Sequence, residues 1–173
     1  IAAMGGLISS VEDVSKWMIF NLNNGINGED TILEASSRNL MWTPHNNFVV
    51  DHTKSNDFDT HFRSYGLGWS LSDFHGRMKV SHGGGYDGMI SSVTLIPDEK
   101  LGVVVLTNGL KSPVGAITNY TLDAFLGVEE TDWSTKDLER MEKRKNRDTR
   151  IEDRKKARIL DTKPSLELEK YVG

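Results

Sequence analysis

"KVSHGGGYDGMISSVTLI", Lys79 to Ile96, places Gly83, Gly84, Gly85 and Gly88 directly after a histidine, with β-branched residues close behind. Val80 before the glycines and Ile90, Val93, Thr94 and Ile96 after them suit a pleated, half-buried surface, which makes the stretch two strands meeting at bare backbone. What lies around it decides the fold.

Four short runs rich in β-branched and aromatic residues surround the glycines: "SYGLGWSLSD" (64–73), "RMKVSHG" (77–83), "MISSVTLIPD" (89–98) and "KLGVVVLTNG" (100–109). They are separated by Asp-Phe-His-Gly, the glycine loop and Pro-Asp-Glu-Lys, and this predicts an antiparallel meander. Upstream, Ser9 and Ser10 each precede an acid by three residues (Glu12, Asp13), the capping-box pattern, so a helix is expected from near Val11 to Asn24-Gly25. Its predicted buried stripe is Val11, Val14, Trp17, Met18 and Leu22, with Asn21 and Asn23 off it. A second short helix is expected from Ile32 to about Met41, where Pro44 breaks the pattern, and the polar stretch from there to Ser64 reads as irregular. Pro113 suits a helix first turn, Val114, Ile117, Tyr120, Thr121, Ala124 and Phe125 mark its apolar side, and Gly127 ends it. The fold class is α+β, an antiparallel meander covered by helices.

At 173 residues the chain suits one domain or a domain with an appendage, and it is long enough to bury a core. With 27% charged residues, a net charge of −4 and no long apolar run, neither a membrane span nor a nucleic-acid binder is indicated. The lack of cysteine excludes disulfides and thiolate chemistry. Composition changes after Gly127: residues 129–173 hold 13 Lys/Arg against 12 Asp/Glu, so their +1 leaves −5 for the rest of the chain. Thr135 to Arg158 reads as a long charged helix with few apolar positions (Leu138, Met141, Ile151) and supporting pairs such as Glu139/Lys143 and Glu152/Lys156, the pattern of a solvated linker.

Three chemistries fit the glycines. Gly83, Gly85 and Gly88 match G-x-G-x-x-G, but that fingerprint needs a following helix to face pyrophosphate, and here a strand follows. His82-Gly83-Gly84-Gly85 also copies the oxyanion loop of some lipases and esterases, yet no G-x-S-x-G elbow occurs downstream. The third keeps the N–H donors on a strand edge, where glycines let an extended substrate lie against the backbone while an N–H faces its carbonyl oxygen.

The segments "GGLISSVEDVSKWMIFNLNNG", "YGLGWSL" and "VSHGGGYDGMISSVTLIPDEKLGVVVLTN", in this order and spacing, resemble the serine β-lactamase and penicillin-binding-protein-like hydrolases, in the branch of the class C enzymes and D-alanyl-D-alanine carboxypeptidases. The resemblance covers the C-terminal part of that fold. It implies that His82, Gly83 and Gly84 occupy the Lys-Thr-Gly or His-x-Gly motif of the edge strand, with Gly83 and Gly84 against the substrate. The Gly85 N–H would serve as the second oxyanion donor, and His82 would orient the substrate or a catalytic tyrosine by hydrogen bond. A structural histidine at a strand end is the alternative for His82. The family's Ser-x-x-Lys and Tyr-x-Asn motifs are both missing: no serine is followed at three residues by lysine, and Tyr65, Tyr86, Tyr120 and Tyr171 all lack the asparagine.

Since both motifs precede this part in the family, and since the chain starts at Ile1 without a leader pattern, it reads as a piece whose parent continues upstream. The expected division is 1–128 as the C-terminal portion of the hydrolase domain, 129–162 as the charged helical linker and 163–173, with "LELEKYVG", as the start of a small β-rich domain. The resemblance implies acyl-serine hydrolysis by the parent, with penicillins, D-amino-acid peptides or simple esters as substrate, no cofactor and a periplasmic or exported location. The chain alone is expected to be silent, and to dimerise through the long helix or an uncovered sheet face. The rival reading is a non-catalytic interaction module that binds through the long helix. His52, Asp57, Asp59 and His61 are possible metal ligands by type, but their spacing fits no known site and no metal is expected. Trp42, Trp69 and Phe62 suit either a substrate cleft or the core.

Overall fold

A computed structural model describes residues 5–54, 56–129 and 131–172, with only the backbone course of 145–150. Helix α1 spans Val11–Leu22, and the Ser10 side chain caps it by accepting the Asp13 N–H. Asn24 and Gly25 leave it with φ of +62° and +80°. A Cβ on Gly25 would stand 2.2 Å from the Leu33 carbonyl oxygen, so this exit requires glycine for both its dihedral and its space. A two-stranded ribbon follows, β1 (Ile26–Asn27) with β2 (Asp30–Thr31), then the short helix α2 (Ala35–Met41).

The main sheet is antiparallel and six-stranded, in the order of the chain: β3 (Asn46–Phe48), β4 (Arg63–Tyr65), β5 (Ser70–Phe74), β6 (Arg77–Tyr86), β7 (Met89–Ile96) and β8 (Leu101–Thr107). The meander is therefore as expected, with two corrections. The run "SYGLGWSLSD" is not one strand but the inner ends of β4 and β5 with a turn between them. Gly66 makes that turn possible, since its Cβ would lie 2.1 Å from the Met41 carbonyl oxygen. The second correction is β3, formed by Asn46–Phe48 within the polar stretch expected to be irregular. Its residues are all exposed; pairing with β4 rather than hydrophobicity fixes them.

Side chains alternate between the two sheet faces. Leu71, Val80 and Leu95 stand in register across β5, β6 and β7 and form one core with Met18, Trp42 and Trp69. The other face carries Phe74, Ile96, Val103 and Val105, packed with Leu122 of helix α3 (Val114–Leu126).

Both predicted helix stripes hold in part, with Met18 and Leu22 of α1 and Val114 of α3 on the core, but each helix is rotated from the predicted centre. On α1, Val11 and Trp17 are 54% and 43% exposed, while Asn21, expected off the stripe, is fully buried. The cause is the contact with β8: Met18 lies 3.3–3.4 Å from where a Cβ of Gly102 would be, and this close approach sets the helix rotation. Inside, Asn21 donates its amide to the Trp17 carbonyl at 2.8 Å, while its side-chain oxygen has no hydrogen-bond partner among the described residues. On α3 the buried residues are Thr118, Leu122 and Asp123, while Ile117, Tyr120 and Phe125 face outward. The buried Trp133 indole donates to one oxygen of the Asp123 carboxylate at 2.5 Å, and the other oxygen has no hydrogen-bond partner among the described residues. Gly127 ends α3 in the left-handed conformation, as expected.

The chain divides into two compact units at Ser134/Thr135. Helix α4 runs over Trp133–Lys156, and in the second unit a 3-10 turn forms at Leu168–Tyr171.

Candidate functional site

Asp87 and Gly88, both with positive φ (+46° and +86°), form the tight turn between β6 and β7, and Tyr86 pairs with Met89 across it. The connection is thus two residues long. Gly83, Gly84 and Gly85 are not in the loop; they lie within β6, opposite Ser92, Ser91 and Ile90 of β7.

On its other edge β6 pairs with β5 only as far as Ser81, opposite Ser70. From His82 to Tyr86 that edge has no strand partner among the described residues. Alternate backbone N–H and C=O groups there face outward, which is what an extended ligand needs in order to add itself to a sheet.

None of Gly83, Gly84 and Gly85 has a positive φ, so the backbone itself would admit any residue. Packing explains part of the choice. A Cβ on Gly84 would meet the Ser91 hydroxyl at 2.8 Å and one on Gly85 the Ile90 methyl at 3.1 Å, whereas Gly83 would meet only the Ser91 carbonyl oxygen, at an ordinary 3.5 Å. All three are exposed, and Gly83 leaves backbone bare on a surface where its own chain does not require it.

The His82 side chain is exposed and makes no hydrogen bond among the described residues. The Tyr65 ring lies beside it, centroids 6.4 Å apart and planes at 57°. Tyr65 carries no motif in the sequence; its place beside His82 comes from the order β4-β5-β6, which no local pattern announces. An imidazole with both nitrogens free, next to open backbone donors, can orient a polar group while an N–H holds a carbonyl oxygen.

The other candidates separate. Asp59 bonds the His75 ring (3.0 Å) and His61 the Asp73 carboxylate (2.8 Å). The His52 and His61 rings stack at 6.4 Å, and no group of three or more His, Asp or Glu among the described residues is placed to share a metal ion. Trp42 and Trp69 are core residues, 8% and 5% exposed and packed edge to face, while Phe62 is 78% exposed. Asp73, which the sequence does not single out, accepts the N–H groups of His61 and Phe62 as well as the His61 ring. Burial opposes its ionisation, but these donors outweigh it and hold the carboxyl below its ordinary range. Among the described residues no helix is long and apolar enough to cross a membrane.

The family described as Beta-lactamase matches residues 2–127. Among solved structures, the octameric penicillin-binding protein homologue from Pyrococcus abyssi is similar at 26% identity and a TM-score of 0.57, covering 69% of this chain. The chain spans 25% of that protein's chain. No curated protein matches.

Proposed function

The chain belongs to the β-lactamase family, and on that premise we propose that β6 is the substrate-binding strand of a serine hydrolase. In this reading an acyl substrate lies along the open edge after Ser81, Gly83 and Gly84 give it bare backbone, the Gly85 N–H donates to the carbonyl oxygen, and His82 orients the reacting groups. A serine oxygen adds to the carbonyl, the C–N or C–O bond breaks with departure of the protonated amine or alcohol, and water then releases the acyl group. Neither Ser-x-x-Lys nor Tyr-x-Asn occurs in these 173 residues; in this reading the nucleophile and its base are supplied by another part of the parent polypeptide.

The observation that supports this most is the coincidence of exposed in-strand glycines, an unpaired edge and the free imidazole at one place. Its test compares this chain with the parent polypeptide, using a chromogenic β-lactam and a short-chain nitrophenyl ester. Turnover by the parent alone is expected, with His82→Ala lowering the rate by about ten- to a hundredfold. A parent inert towards both substrates, in which a fluorophosphonate labels no serine, would remove the hydrolase reading.

A further inference from the structure

A cluster of polar groups lies on the opposite face of β6. Lys79 and His82 are three residues apart on one strand, so their side chains leave from different faces of the sheet. Arg63, Ser72 and Lys79 occupy directly paired positions on β4, β5 and β6, so the three form one row across a single face.

The row opens into a cavity of about 350 Å³ that Phe58 and Thr60 also line. Lys79 is held there by two aromatic rings, its ammonium 4.8 Å from the Phe58 centroid and 4.9 Å from that of Phe74. The remaining polar groups of the wall are satisfied within the chain. Thr60 donates to the Asp73 carbonyl at 3.0 Å, and the Asn56 side chain bridges the Phe58 and Thr60 backbone. The single carboxylate on the wall, Asp51, is neutralised by Lys54 at 2.8 Å.

What remains is two cations and a hydroxyl. Among the described residues no carboxylate lies within ion-pair distance of Arg63 or Lys79, and the Ser72 hydroxyl has no hydrogen bond. Burial, and next the charge of Arg63, push the Lys79 ammonium down to about 8, a sign of two like charges sharing a cavity without a counter-charge. Neighbouring unpaired cations with a donor hydroxyl between them match an oxyanion, with the Arg63 fork and the Lys79 point charge supplying complementary geometries.

We propose that Arg63, Ser72 and Lys79 form a binding site for the carboxylate or phosphate group of a small anionic molecule, separate from the open edge at His82. The shared chemistry is a compact oxyanion with two or more acceptor oxygens: the two cations neutralise it, Ser72 donates a third bond, and the cavity admits the rest of the molecule.

The test is a titration of this chain with inorganic phosphate, and in parallel with acetate, at constant ionic strength set by chloride. Backbone amide shifts on β4, β5 and β6 are followed by NMR. Expected is a saturable shift centred on Arg63, Ser72 and Lys79 with at least one of the two anions, the tighter one distinguishing a tetrahedral from a planar ligand group. Arg63→Gln and Lys79→Met should each weaken it by about tenfold or more, as for a lost charged hydrogen bond, and Ser72→Ala by less. Linear, unsaturated shifts with both anions, or unchanged affinity in Arg63→Gln, would overturn the site. Arg63 is exposed, so its variant keeps the test decisive even where Lys79→Met perturbs folding.

Discussion

The Lys79 ammonium lies 4.8 Å from the centroid of the Phe58 ring, so a largely buried cation is kept on an aromatic face. With its pKa lowered to about 8, Lys79 binds fewer protons in the folded chain than in the unfolded one between pH 8 and its ordinary value near ~10.4. Stability from this group should therefore rise as pH increases through that window, by up to about 3 kcal/mol. Urea midpoints measured from pH 7 to 10 in wild type and Lys79→Met check it: the variant should lose the slope, and at pH 7 it should be as stable as wild type or more so.

Asp73 has the opposite sign. Its carboxyl sits below the ordinary range, so its contribution is fully present above about pH 4 and is lost as pH falls further. Asp73→Asn should cost about 1.5–3 kcal/mol at pH 7, since it weakens bonds from the His61 and Phe62 backbone to a charged acceptor. Acid titration of both proteins by circular dichroism should show the gap closing below pH 4.

The buried pair Trp133 and Asp123 fixes the segment that follows α3. Trp133→Phe keeps the stack on Phe58, at a centroid distance of 5.2 Å, but leaves the Asp123 carboxylate without this donor. A loss of about 2–3 kcal/mol is expected, and adding Asp123→Leu should recover part of it. Chemical denaturation of the single and double variants measures the coupling.

Gly25 and Gly28 both have positive φ, but only Gly25 has backbone in the way. Gly28→Ala should cost about 1–2 kcal/mol for the dihedral alone, and Gly25→Ala distinctly more. Thermal unfolding that ranked the two equally would show that the Leu33 backbone gives way without cost.

The meander was legible because four β-rich runs are separated by turn residues, and α1 because Ser10 and Gly25 mark its ends. Helix rotation was not. Periodicity puts Trp17 and Ile117 on the inner faces, and what decided otherwise was Gly102, which lets Met18 approach, and an indole placed where it pairs with Asp123. Such decisions depend on residues far away in the chain, to which a local window is blind.

The same division holds for the two sites. The sequence by itself determined that a histidine and three glycines lie on a β-rich segment and that the Ser-x-x-Lys and Tyr-x-Asn patterns are missing, since these depend only on residue identity and spacing. Only the tertiary structure decided that the glycines lie inside a strand whose partner stops at Ser81, that Tyr65 stands beside His82, and that Arg63, Ser72 and Lys79 share one face. Strand register sets all three, and register is fixed by which distant segments pair, so the cavity's charge is a property of the assembled sheet and of none of its strands alone.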